Sequence, residues 1–535
     1  MNKVKLFLLG LLAAMMLPVA AQQGQLPLDP AVRYGKLPNG LTYYIRKNAK
    51  PEGQVNFYIA QKVGSVQEED SQRGLAHFLE HMAFNGSKHF PNDGQLIKYC
   101  ESIGVKFGQN LNAYTSTDET VYNIDNVPVS PSNIDSCLYI LADWSGGLLL
   151  STKEIDKERG VIHEEWRMRT TGMMRIYERQ LPNLYPGSRY GNRMPIGTMD
   201  VVLNFPPDTL RAYYHKWYRP DLQGVVVVGD IDVDQMESKI KSILGAIEMP
   251  ANAAKYEHYP VPANNEPIYI IDKDKEDTVN DVEILFKTEA LPMEMKSDWS
   301  YMMIKYIINA AMNMLNSRYS EAALNADCPF VSAGGSYGSY LFSRTKDAFD
   351  ISVSPKDPTK IEAALQAALV EFRKATQFGF TQTEYDRYKE NYLSGWEKVY
   401  SNKDKRRSSS FCNEYWMHFL ENEPIPSIDD EYEFMKQIVG MLPLEAINQT
   451  FAQAFPENNE NVVIKTEVND KFGYKELTLS NGVKVIMKQT DFKKDQVVLT
   501  GQGDGGSTLY GPADYVNCQV FDPLVDASGL GGFSS

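Results

Sequence analysis

The sequence predicts an α+β protein in which one structural plan recurs along the chain. Two observations carry this. First, Leu210, Tyr214 and Tyr218 recur at i+4, Pro220 follows, and the valine run Val225 to Val228 begins shortly afterwards. Ile447, Phe451 and Phe455 recur in the same way, followed by Pro456 and then by Val462-Val463-Ile464 at the distance from Phe455 that separates Val225 from Tyr218. Second, Leu479 to Lys488 restates Leu37 to Arg46 in pattern, and Gln496-Val497 and Gly506-Ser507 match Gln54-Val55 and Gly64-Ser65 at the same offset with no gap. The expected organisation is a leader over 1–21, a first unit over 22–250, a second over 251–466, and the start of a third over 467–535.

The leader is read from Met1-Asn2-Lys3-Val4-Lys5, which is basic, the apolar run Leu6 to Val19, and the small residues Val19-Ala20-Ala21 before Gln22. That is the pattern of a secretory signal peptide, too short and wrongly flanked for a stable membrane span. No cysteine follows it to take a lipid anchor, and no other apolar run is long enough to cross a bilayer. An exported, soluble mature protein, periplasmic or secreted, is expected, with no membrane association after cleavage.

From there the chain reads in order. Asn39-Gly40 is a tight turn feeding a strand through Arg46. Val55, Phe57 and Ile59 alternate in a second strand. Leu75, Phe78, Leu79 and Met82 recur at helical spacing, with Asn85-Gly86 as the stop. A helix follows near Gly94 to Ser102, then a strand with one exposed polar face over Gly108 to Ile124, then an apolar helix over Ile134 to Leu150. Ser151-Thr152-Lys153-Glu154 reads as a capping box opening a helix to about Arg169. Met249 to Pro267 is rich in Pro, Ala and Asn and reads as a linker. In the second unit, strands are expected over Val282 to Thr288 and Ala348 to Ser354, and helices over Ser297 to Asn313, Thr359 to Thr376 and Thr381 to Tyr400.

Composition narrows the function. With 54 basic against 69 acidic residues, the formal charge is −15, which argues against a nucleic-acid partner. The five cysteines, Cys100, Cys137, Cys328, Cys412 and Cys518, are scattered and show no C-x-x-C spacing, so they form neither a disulfide framework nor a thiolate metal site.

The chemistry concentrates in His77-Phe78-Leu79-Glu80-His81. On a helix, His77 and His81 at i and i+4 share one face and can converge on a metal ion. Glu80 then stands where a general base for a water belongs. The chain has only seven histidines, so two at ligand spacing around a glutamate stand out. On the helix after Ser151, Glu158 and Glu165 are seven apart and return to one stripe, on the order of 10 Å apart along the axis, while Glu164 lies off it. Spacing leaves open which of the two approaches the histidines, or whether the stripe is simply a solvated acidic face.

The run His77 to His81 resembles the inverzincin signature H-x-x-E-H. Its surroundings are similar to the metallopeptidase family of pitrilysin and insulin-degrading enzyme (peptidase family M16). They are Gly74 to Ser87, Asn112-Ala113-Tyr114-Thr115, Glu158 to Glu165, and Trp217-Tyr218-Arg219-Pro220 before the valine strand. The resemblance implies pitrilysin-type units, each a mostly antiparallel sheet covered by helices, that together form one bowl of a clamshell. It implies one Zn2+ per chain held by His77, His81 and Glu165, with Glu158 as the companion carboxylate, Glu80 as the base, and Asn112 and Ala113 on an edge strand that holds substrate. The implied activity is endopeptidase action on short or unfolded peptides. The alternative is a weakly active or non-catalytic peptide-binding scaffold of the same fold. Carried onto the third unit, the motif positions fall on Gln519, Asp522 and Pro523 and do not rebuild the site. Large members carry four units in two facing bowls, so the remaining half, or a partner chain, is expected to complete the chamber.

Overall fold

The computed structural model describes residues 25–277, 279–455, 460–467, 475–478 and 484–487. The leader and most of the third unit lie outside them. The described residues up to 467 belong to one compact unit, and the two short strands after it to another.

The first sheet starts with a hairpin. β1 (Val32–Lys36) and β2 (Thr42–Lys47) pair antiparallel around Asn39-Gly40, where Gly40 takes a φ of +98° that a side chain would resist. Then come β3 (Gln54–Gln61), α1 (Leu75–Met82), α2 (Gln95–Ser102), β4 (Leu111–Thr115), β5 (Thr120–Pro128), α3 (Pro131–Gly146) and α4 (Thr152–Arg169). After them follow α5 (Gly172–Leu184), α6 (Met199–Asn204), α7 (Pro207–Trp217), β6 (Gln223–Gly229) and α8 (Val233–Ile243). The order across the sheet is β1-β2-β6-β3-β5-β4, with β2 and β6 parallel and every other pair antiparallel.

Residues 248–267 form no regular element, and Tyr256, Tyr259 and Val261 among them pack into the cores. The second half then runs β7 (Ile268–Asp272), β8 (Asp281–Glu289), α9 (Trp299–Ala323), β9 (Phe330–Ser339), β10 (Lys346–Pro355), α10 (Ile361–Phe378) and α11 (Gln382–Ser401). It closes with α12 (Ser408–Glu421), α13 (Ile428–Met441), α14 (Leu444–Gln453) and β11 (Val462–Glu467). Its sheet is ordered β7-β11-β8-β10-β9, again with one parallel pair, β7 with β11. This repeats β2-β6-β3-β5-β4 in both order and polarity. In the last described segment, β12 (Lys475–Thr478) pairs antiparallel with β13 (Lys484–Met487), Thr478 opposite Lys484 and Leu477 opposite Val485. Lys36 stands opposite Thr42 and Gly35 opposite Tyr43 in the first hairpin, so both hairpins close loops of the same length.

The structure differs from the sequence reading in instructive places. Residues 108–124 form two strands, not one: the chain turns at 116–119, where Ser116 N donates to Glu119 O, and returns as β5. The polar face expected there is exposed only in part, Tyr114 being exposed and Asn112, Asn123 and Asp125 half-buried, and the neighbouring β3 is covered on both sides. Val55 to Gln61 are all buried, Asn56, Tyr58 and Ala60 included, because α12 of the second half lies on the side away from α1. Its Phe411, Cys412, Tyr415, Phe419 and Leu420 pack with Tyr44, Tyr58, Val121, Val226 and Val228. The C-terminal pattern of the second half ends at Gln453, so Phe455 packs beyond its helix rather than on it. Cys100, Cys137 and Cys412 are buried free thiols, and Cys328 is a partly buried one; Cys518 lies outside the described residues.

The halves are also clamped at the β4–β5 turn. Arg344, a partly buried guanidinium held 3.2 Å from Glu421, lies 2.7 Å from Glu119, and Thr117 Oγ1 donates to Phe342 O at 3.3 Å.

Gly224 in β6 makes the α12 packing testable, because a Cβ there would stand 2.5 Å from the ring of Phe419. Gly224→Ala is expected to lower stability by about 1–3 kcal/mol, read as an earlier midpoint in chemical denaturation. An unchanged midpoint would show that the α12 contact yields.

Candidate metal centre

The helix that carries the motif is anchored at its start. Gly74 precedes α1 with φ +105°, and Glu68 accepts hydrogen bonds from the N–H groups of Gly74 (3.1 Å) and Ala76 (2.8 Å), two of the donors a helix leaves unpaired at its N-terminus. Burial pushes the Glu68 carboxyl up to about 8 despite those donors. Leu75, Phe78, Leu79 and Met82 are fully buried in the first core, as their spacing predicts. That orientation commits the other side of α1 to His77, Glu80 and His81. His77 and Glu80 are themselves buried, 6% and 9% exposed, and the two imidazoles cross edge to face with centroids 4.7 Å apart.

α4 packs against α1 and supplies the carboxylates. Ser151 caps it by accepting from Glu154 N at 3.3 Å; the side chain of Glu154 instead faces Lys153 and Lys157, so only one arm of the expected box forms. The stripe that spacing left undivided is divided by the structure. Glu165 stands between the two histidines, with Oε2 3.1 Å from His81 Nε2 and Oε1 3.6 Å from His77 Nε2. Glu158 stands behind His81, its Oε1 2.9 Å from Nδ1, and its Oε2 accepts from Asn85 Nδ2 at 2.6 Å. Glu164 turns away to pair with Arg167 at 2.8 Å, while Arg169 reaches back to Glu165 Oε1 at 2.7 Å.

Burial works against a charged His81, but hydrogen bonds to Glu158 and Glu165 outweigh it and raise its pKa to about 9. Hydrogen bonds from His77 and His81 in turn hold Glu165 well below the usual carboxylate range. Carboxylates thus outnumber imidazoles in a half-buried cradle that favours positive charge. One nitrogen from each of His77 and His81 and one oxygen of Glu165 lie within 4.8 Å of one another, among the described residues. Tetrahedral zinc with ligands at about 2.0–2.2 Å places them about 3.3 Å apart, so this donor set fits a zinc ion after a small contraction. The fourth position would remain open.

Glu80 is fixed from another direction. Thr115 Oγ1 donates to its Oε2 at 2.5 Å. Thr115 ends β4, which lies at the edge of the sheet and packs on α1; Asn112 and Ala113 belong to the same strand. The sequence reading placed Asn112 and Ala113 but gave neither Thr115 nor Asn85 a role at the site. Strand periodicity holds a signal for Thr115, since it shares the face of Ala113. Asn85 was read only as a helix stop.

With this geometry in view, the comparisons with known proteins become decisive. Residues 43–185 match the family described as insulinase (peptidase family M16), and residues 204–392 match the peptidase M16 inactive domain. The chain belongs to peptidase family M16. Among M16 relatives it is 31% identical to a probable zinc protease PqqL of Escherichia coli strain K12, over 99% of this chain and 62% of that protein. It is 28% identical to a zinc protease PQQL-like protein of Arabidopsis thaliana, over 94% of this chain and 54% of that one. The crystal structure of the first half of the periplasmic protease PqqL from Escherichia coli superposes with a TM-score of 0.76 at 29% identity, covering 84% of this chain and 94% of that chain. This chain therefore spans little more than half the length of those two curated M16 relatives, 62% and 54%.

Glu158 makes the electrostatics of the cradle testable. Glu158→Ala removes the carboxylate behind His81 and is expected to weaken zinc binding by about 10- to 100-fold, measured by competition with a chromophoric chelator. Affinity unchanged within twofold would remove Glu158 from the site.

Proposed function

We propose that this chain carries the catalytic centre of an exported zinc metalloendopeptidase acting on short or unfolded peptides. The observation that carries the reading is the convergence of His77, His81 and Glu165 within 4.8 Å, beside a Glu80 carboxylate held by Thr115. The names of the M16 relatives as zinc proteases support it.

His77 and His81 would offer Nε2 to the metal and Glu165 a carboxylate oxygen, with Glu158 keeping His81 Nδ1 occupied so that Nε2 faces the site. When bound, zinc supplies Lewis acidity towards the water and the scissile carbonyl. Glu80 accepts a proton from the attacking water and returns one to the leaving amine nitrogen. Asn112 and Ala113 lie on an edge strand, whose free main-chain groups can take an extended peptide as an added strand. That mode requires the substrate to be unfolded at the cleavage point, because a folded strand or helix has already paired those groups. The convergence of side chains from α1, α4 and β4 also disfavours the scaffold reading, which has no need of a fixed Glu80.

Export rests on the N-terminal leader pattern and on the periplasmic description of the Escherichia coli structure. No helix among the described residues is long and apolar enough to cross a membrane. The greater length of the curated relatives supports a chamber completed by further chain or by a partner.

Glu80→Gln keeps size and polarity while removing basicity. It should retain zinc by elemental analysis and lose cleavage of an internally quenched, unstructured peptide by about 100-fold or more. Cleavage at the parental rate would refute the assignment, and a parent that binds the peptide without cutting it would favour the scaffold.

A further inference from the structure

We infer that Thr115 is a positioning residue for Glu80, one that ties the general base to the strand on which the peptide lies. The inference rests on the catalytic reading above and extends it to a residue that reading did not require.

The Thr115 hydroxyl has one proton, and it is directed to Glu80 Oε2 at 2.5 Å, a length typical of a donor on an ionised carboxylate. With Oε2 engaged, rotation about the terminal torsion of Glu80 is arrested, leaving Oε1 for the water. A glutamate on an eight-residue helix would otherwise retain that broad torsion. The hydroxyl is in turn held by its strand. Thr115 pairs with Thr120 across the β4–β5 ladder, and the Thr120 hydroxyl is tied to Val63 O at 3.0 Å. Directly beyond Thr115 the turn is clamped by Glu119 to Arg344 at 2.7 Å and by Thr117 Oγ1 to Phe342 O at 3.3 Å. The donor therefore belongs to a strand end fixed from both sides.

The consequence follows from where the donor sits. Side chains at alternate positions of a strand share a face, so Ala113 and Thr115 both face α1, while the main chain of the same strand forms the free edge. A peptide added to that edge is registered against the backbone of Thr115 and its neighbours. The distance between its scissile bond and Glu80 is then set within a single strand, with no flexible loop between.

Thr115→Val keeps the β-branched shape that suits a strand and removes the proton; Thr115→Ser restores the donor. The test uses the zinc-loaded full-length protein with the quenched peptide, elemental analysis, and a crystal structure of Thr115→Val. The expected result is a kcat about 10- to 100-fold lower in Thr115→Val with KM within about twofold, zinc content unchanged, most of the kcat recovered in Thr115→Ser, and a shifted Glu80 carboxylate in the crystal. Parental kcat in Thr115→Val, a change confined to KM, or a Glu80 carboxylate unmoved in the crystal would each overturn it. Glu80→Gln run in parallel separates the two readings: parental cleavage there removes Glu80 as the base, whereas an inactive Glu80→Gln beside a fully active Thr115→Val removes only the role of Thr115.

Discussion

The site depends on one packing constraint: a four-residue step on α1 must face a seven-residue step on α4. His81 is the point where the two meet. Its Nδ1 meets Glu158 and its Nε2 meets Glu165, so one imidazole bridges the carboxylates of two helix positions whose backbones stand about 10 Å apart along the axis. Slip either helix by one residue and the ring loses both partners, since the next positions on α4 are Arg159 and Trp166. The two helices can hold that register because each is anchored elsewhere: α1 by Glu68 and by four buried apolar side chains, α4 by Ser151 and by Ile155 and Ile162 in the core.

The second half of the chain shapes the first. Its α12 covers the outer face of the central strands of the first sheet, so that β3 and β6 are buried on both sides. Arg344, Phe342 and Glu421 hold the turn that ends the β4 edge strand. Seating the partly buried Arg344 between two carboxylates balances a charge that would be costly to desolvate alone. The second copy of the fold thus acts as a rigid backing for the copy that carries His77, His81 and Glu165.

The duplication keeps the sheet while changing the helix that lies against it. Five strands of each sheet share order and polarity, including the single parallel pair. The helix bearing the motif in the first half has a counterpart between β8 and β9 in α9, which is long, rich in methionine and alanine, and without histidine. The hairpin of β12 and β13 repeats the opening of the first sheet at the same loop length, as the match between Leu37 to Arg46 and Leu479 to Lys488 leads one to expect.

By itself the sequence determined what local periodicity and spacing can determine. The i+4 histidines with Glu80 between them, the apolar side of α1, the Asn-Gly turn, and the repeated helix-proline-valine ending all depend on residues close together in the chain, where helix and strand geometry set the distances. The tertiary structure decided whatever depends on contacts between distant segments. It divided Glu158 from Glu165, which a single helix presents as equivalents, because only the placement of α1 tells them apart. It folded residues 108–124 into a hairpin, and it buried both faces of the central strands β3 and β6 because α12 arrives from about 300 residues away. It also brought Thr115 to Glu80 and Asn85 to Glu158, contacts set by packing between elements, which no spacing along the chain encodes.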